Sequence, residues 1–180
     1  MDRPHLLQMK MNGQKAFFFD RDGVINIDHG YVSKIEDFDF MSGIFQAMRH
    51  LAEKGYALIV VTNQSGIGRG YYTEEDFRRV TEWMLQRFAD EGIPIAAVYR
   101  CPHSPELNCG CRKPAPGMFL QAIREHQLDP SACWMVGDKV TDMQAAETAG
   151  IQNRVLIGCA ESGHNTHTIS TLGELLELPV

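Results

Sequence analysis

Four short, almost wholly apolar runs, separated by stretches of helical periodicity, constrain this chain more than any other feature. Residues 16–19 run into Asp20, and residues 57–62 end on Thr62. Residues 96–99 lead into a cysteine-bearing loop, and residues 133–136 lead into Gly137 and Asp138. Runs of this length that do not alternate with polar residues are expected where a strand is buried on both faces. Between them, Ile44, Ala47, Met48 and Leu51 recur at helical spacing before Gly55. Phe77, Val80, Met84 and Phe88 make a second apolar face behind Thr73, Glu74, Glu75 and Asp76, a capping-box pattern. Met118, Ala122, Ile123 and His126 suggest a third helix, residues 142–149 a fourth closing on Gly150, and residues 155–157 a fifth strand. Such alternation with right-handed crossovers predicts an α/β chain: a three-layer, Rossmann-like parallel sheet whose ligands sit at the carboxyl ends of the strands.

One core suffices for 180 residues, so residues 15–180 read as a single domain and residues 1–14 as a mobile extension. Residues 21–42 are too many for a simple strand-to-helix link and predict a small flap over the sheet's carboxyl edge. The net charge of −6 argues against a nucleic-acid partner. No apolar run reaches the roughly 18 to 20 residues a bilayer crossing needs, and no secretory pattern opens the chain. A cytoplasmic chain with no membrane partner is therefore expected, and without a zipper or long apolar stripe it reads as a monomer.

The chemistry-bearing residues gather at the predicted strand ends. Asp20 and Asp22 stand two apart before Gly23, where hard oxygen ligands and a glycine-eased turn suit Mg²⁺ and a phosphate. Alone, such a tetrapeptide is commonly a solvated turn. Thr62, Lys113 and Asp138 with Asp142 fall on the same edge, although Asp142 could equally cap the last helix. Cys101, His103, Cys109 and Cys111 offer three thiolates and one imidazole within residues 101–116, a closed tetrahedral set for structural Zn²⁺. Metal could hold this proline-rich loop, which has Leu107 as almost its only apolar residue, in place of hydrophobic burial. Cys133 and Cys159 read as small apolar residues, and His164 and His167 as solvent-exposed.

In order and spacing, Asp20, Asp22, Thr62, Lys113 and Asp138 resemble the four motifs of the haloacid dehalogenase-like superfamily, over nearly all of the chain from Lys15 to about Ile157. That resemblance implies a phosphatase in which Asp20 is the nucleophile and Asp22 the acid and base. It also implies Mg²⁺ on Asp20, the Asp22 carbonyl and Asp138, with Lys113 and Thr62 holding the phosphoryl oxygens. The zinc loop and the Asp20–Gly23 tetrapeptide are similar to the group containing histidinol-phosphate and heptose-bisphosphate phosphatases. Residues 26–32 and 62–70 favour the heptose-bisphosphate branch, although the zinc loop is shorter than in many enteric members. By that similarity Asp28, His29 and Tyr31 would contact a sugar phosphate, and Asn63, Gln64 and Ser65 would line its entrance. Arg112 would meet a second, anomeric phosphate, and Lys139 joins the same set. A phosphatase of histidinol phosphate or another small phosphomonoester is the alternative.

Overall fold

The first apolar run does what its composition demands. In the computed structural model, which describes residues 13–158 and 162–180, Ala16–Phe19 (β1) is buried at all four positions and lies inside the sheet. Ile44–Glu53 (α1), Ala57–Asn63 (β2), Ser65–Gly68 (α2), Glu74–Asp90 (α3) and Ile95–Cys101 (β3) follow. After the cysteine loop come Gly117–Glu125 (α4), Trp134–Gly137 (β4), Val140–Thr148 (α5), Asn153–Ile157 (β5) and His167–Ile169 (β6). The six strands pair in parallel in the order β3-β2-β1-β4-β5-β6. The order reverses beside β1, so the ends of β1, β2 and β4 meet in one crevice.

Period-two alternation sends the aromatic side chains of β1 to opposite faces. Phe17 and Phe19 join Leu58, Val60, Val136 and Trp134 under α1 and α3, through Met48, Leu51, Val80 and Met84. Phe17 stacks on Trp134 with ring centroids 5.4 Å apart. Phe18 joins Ile59, Val61 and Met135 on the other face, beneath Phe119 and Ala122 of α4 and Met143 and Ala146 of α5. A sheet covered on both sides explains why its strands read as unbroken apolar runs.

The boundaries sharpen several expectations. Thr73 caps α3 through the full capping box with Asp76, as its pattern predicts. Gly55 and Gly150 adopt positive φ, 83° and 88°, just past the ends of α1 and α5. The last helix begins at Val140, two residues before the expected start, and Cys133 is buried immediately before β4. The mobile extension expected over residues 1–14 falls outside the described residues up to residue 12. Gln14 is already tied in: its N–H donates to the Gln127 carbonyl and its carbonyl accepts from Asp129.

β6 has no counterpart among the expected strands. Its addition corrects the placement of His167, which is half-buried in β6 with its ring 5.3 Å from that of Trp134. His164 is likewise not free, since its Nδ1 lies 2.7 Å from the Glu147 carboxylate. Cys159 lies outside the described residues. Residues 21–42 form a flap with packed roots rather than a loose lid, because Arg21, Val24, Ile25, Val32 and Phe38 are all buried.

Because Phe18 is fully buried and its ring meets that of Phe119 at 5.1 Å, truncating it leaves a cavity between sheet and helix. Phe18→Ala should lower the unfolding free energy by about 3–5 kcal/mol. Urea denaturation checks this as a fall in midpoint at unchanged m-value.

Candidate active site

β1 delivers Asp20 to the crevice, and the next six residues turn back sharply. The Arg21 carbonyl accepts from the N–H groups of Val24, Ile25 and Asn26. Gly23 has φ of +88°, and a Cβ there would lie 2.2 Å from Asp138 Oδ2. Glycine is therefore required twice over, by conformation and by the approach of the β4 end. This places Asp20 and Asp22 against Asp138.

At the floor lies an ammonium group removed from solvent. Lys113 Nζ is 2.9 Å from Asp20 Oδ1 and 2.7 Å from Asp142 Oδ1, and donates to the Val61 carbonyl. Burial alone would push this lysine's pKa down, but the Asp142 and Asp20 carboxylates outweigh it and hold the group well above its ordinary value. Burial pushes Asp20 up to about 7, with repulsion from Asp142 and Asp22 added and Lys113 pulling back. Asp138 is likewise pushed up to about 6, by burial first.

The carboxylates here outnumber the buried cation. Three carboxylates, those of Asp20, Asp138 and Asp142, bring ligand oxygens within 4.8 Å of one another around a single buried lysine. Their donors are unequally spread. Asp142 is satisfied on both oxygens, by Lys113 and by the Lys139 N–H. Asp20 receives both its recorded donors, Lys113 and the Arg21 N–H, on Oδ1. Asp138 Oδ1 is buried with no partner. Two carboxylates with unmet oxygens suit a hard divalent cation, so the residues present fit Mg²⁺ on Asp20 and Asp138, with Asp142 turned to Lys113 instead.

Above this floor opens a cavity of about 470 Å³, the size of a small-molecule site. Asp20, Asp22, Lys113 and Asp142 line its base, and Asp28, Tyr31, Ser65, Arg112 and Lys139 rise around it. Lys139 Nζ reaches Asp28 Oδ2 at 3.2 Å, linking flap to helix across the opening. Arg112 presents a buried Nη1 without a partner. A guanidinium group in a cavity wall suits an anion.

Some sequence-based expectations meet a different geometry. His29 is absent from the cavity wall and pairs outward with Asp39 at 2.8 Å. Thr62 is fully buried behind the wall, its hydroxyl accepting from Gln64. Asn63 and Gln64 line the cavity, but their amides are engaged: Asn63 exchanges hydrogen bonds with the Lys113 backbone in both directions, and Gln64 bonds Asp22 and Thr62. Sequence reasoning missed Gly30, Tyr72 and Thr141, all on the wall. Thr141 was signalled by its place in the first turn after β4. Tyr72 closes the glycine-bearing loop after β2 and carried no motif of its own.

The cysteine loop behind Lys113 is compact. Sγ atoms of Cys101, Cys109 and Cys111 lie 3.1–3.4 Å apart, with His103 Nδ1 3.2 Å from Cys111 Sγ. Tetrahedral zinc with bonds of about 2.3 Å to sulfur needs edges of roughly 3.8 Å, so a small outward adjustment fits the ion. All three thiols are unbridged.

Comparison with known proteins agrees with this layout. The family model described as HAD-hyrolase-like matches residues 110–165. The chain is 51% identical over 152 residues to the D-glycero-beta-D-manno-heptose-1,7-bisphosphate 7-phosphatase of Haemophilus ducreyi, covering 81% of this chain and 84% of that one. It is 49% identical to the protein of the same name in Escherichia coli K12, covering 79% of this chain and 78% of that one. Among solved structures, the D,D-heptose 1.7-bisphosphate phosphatase of B. bronchiseptica, complexed with magnesium and phosphate, superposes with a TM-score of 0.81 at 29% identity. That match covers 91% of this chain and 96% of the other. With half its residues shared along most of both chains, the chain belongs to the heptose-bisphosphate phosphatase family of haloacid dehalogenase-like hydrolases.

Proposed function

We propose that the chain removes the 7-phosphate of D-glycero-beta-D-manno-heptose 1,7-bisphosphate through an aspartyl-phosphate intermediate, a step toward nucleotide-activated heptose. The carrying observation is the Arg112 side chain in the wall of the cavity that holds Asp20, Asp22 and Lys113. A monophosphate needs one cationic cradle. A second cation, the Arg112 guanidinium, suits a substrate with phosphate at both ends. The names carried by the relatives support the sugar and the beta anomer.

Asp20 attacks phosphorus through Oδ2, the oxygen for which no donor is recorded among the described residues. The Asp20 O–P bond forms as the P–O bond to the sugar breaks, and Asp22 gives its proton to the departing sugar oxygen. Asp22 then takes a proton from water, whose oxygen bonds to phosphorus as the Asp20 O–P bond breaks. Inorganic phosphate leaves, with Asp20 ionised and Asp22 protonated again. Lys113 Nζ holds the transferring oxygens. Asp20, the Asp22 carbonyl and Asp138 would hold Mg²⁺, which would supply the charge that lets a carboxylate approach a phosphate dianion. Asp28, Tyr31, Ser65 and Lys139 contact the sugar, while Arg112 takes the anomeric phosphate.

Cys101, His103, Cys109 and Cys111 would hold Zn²⁺ as a closed set with no position for a reacting water, which would fix the backbone that carries Arg112 and Lys113. A cytoplasmic monomer belongs to the same reading, supported by unbridged cysteines and by the absence, among the described residues, of a helix able to cross a membrane.

Phosphate release measured side by side should favour the beta bisphosphate over its alpha anomer and over histidinol phosphate; equal rates on histidinol phosphate would overturn the substrate assignment. Arg112→Ala should lower kcat/KM for the bisphosphate roughly 10- to 100-fold while the 7-monophosphate changes little, the effect of losing a charged hydrogen bond to one end only. Elemental analysis should find about one zinc per chain, and Cys111→Ser should lose it together with most activity, because Lys113 lies two residues on.

A further inference from the structure

We infer that Tyr72, acting through Gln64, is a positioning residue for the Asp22 carboxylate. The inference rests on the reading above, in which Asp22 gives and takes the proton.

Gln64 is 2% exposed and its side chain is fully used. Its Nε2 donates to Asp22 Oδ2 at 2.9 Å and to Thr62 Oγ1 at 2.8 Å. One amide thus ties the carboxylate beyond β1 to the hydroxyl at the end of β2. An amide has nearly the same shape when flipped, so its neighbours must decide which end faces Asp22. The Tyr72 hydroxyl does so by donating to Gln64 Oε1 at 2.5 Å. A flipped amide would set Oε1 beside Asp22 Oδ2 and give up the bond that Oε1 accepts from the Tyr72 hydroxyl.

The other side of Asp22 is held from within its own turn. Arg21 donates from Nε to Oδ2 and from Nη2 to Oδ1, at 3.2 and 2.9 Å, and Asn26 Nδ2 donates to Oδ1 at 3.0 Å. Arg21 is itself 1% exposed and fastened to the Val32 carbonyl. Arg21 and Asn26 orient the carboxylate relative to the flap, whereas Gln64 orients it relative to β2 and hence to the phosphoryl cradle.

A second observation shows that the chain makes room for this tyrosine. A Cβ on Gly66 would lie 2.1 Å from Tyr72 Cε1 and 2.9 Å from Tyr31 Cδ1. The ring is seated on a bare backbone, and a side chain at residue 66 would lift its hydroxyl off Gln64. The glycine-bearing loop that follows β2 is therefore built around Tyr72 as well as around the substrate.

Tyr72→Phe keeps the ring and removes the hydroxyl. Its test is the single-turnover rate of leaving-group release, with enzyme in excess, from the heptose bisphosphate and from p-nitrophenyl phosphate. The phenolate leaves without a proton, whereas the sugar alkoxide needs the one on Asp22. The variant should release the sugar about tenfold more slowly, the value of one positioned hydrogen bond, with KM within about twofold. Release of p-nitrophenolate should stay near the parent rate. Adding Tyr72→Phe to Gln64→Leu should cost nothing further, since Tyr72 acts through the amide that is already gone. Equal slowing on both substrates, a change in KM alone, or a further loss in the double variant would each sink the inference. A parent protein that releases nothing from the bisphosphate would instead sink the functional reading beneath it.

Discussion

The buried ammonium of Lys113 is the interaction on which the site and much of its scaffold depend. It joins Asp20 beyond β1, the Val61 carbonyl in β2 and Asp142 in α5. Removing one partner from such a buried set leaves uncompensated charge and costs about 3–5 kcal/mol. Its backbone is clamped by the Asn63 amide, so the lysine is fixed at both ends of its side chain. The cavity forms where it does because this one cation holds three strand-end segments together.

That arrangement leaves the site short of positive charge, and the shortage is chemically useful. Asp142 is spent on Lys113 and on the start of its own helix, while Asp20 and Asp138 keep unmet oxygens. Under the proposed function a divalent cation would relieve the carboxylates, while Lys113 and Arg112 would meet phosphate oxygens. The zinc loop fits the same logic. It carries Arg112 and Lys113, and a metal on its Cys101, His103, Cys109 and Cys111 cluster would take the part that a core plays elsewhere in the chain.

Most of the fold was legible because burying a sheet on both faces demands unbroken apolar strands, which residues 16–19, 57–62 and 133–136 display openly. β6 was not, since an edge strand of three residues with one buried side chain, Ile169, has no such signature. Asp20, Lys113 and Asp138 could be gathered from their order at strand ends, and the structure brings them together there. Side-chain direction could not. His29 lies in a flap whose surface turns it toward Asp39, and Gln64 sits in a loop that looked like an entrance but folds its amide inward. Tyr72 escaped notice because its importance lies in a contact eight residues away in sequence, made possible only by Gly66.

The central claim is that Asp20 carries the phosphoryl group between the two half-reactions. Rapid acid quenching during turnover of the bisphosphate, followed by mass spectrometry of the peptides, tests it most directly. The account predicts a phosphoryl group on Asp20, absent from an Asp20→Asn variant that also fails to release phosphate. Phosphorylation of a different residue, or undiminished turnover in Asp20→Asn, would contradict it.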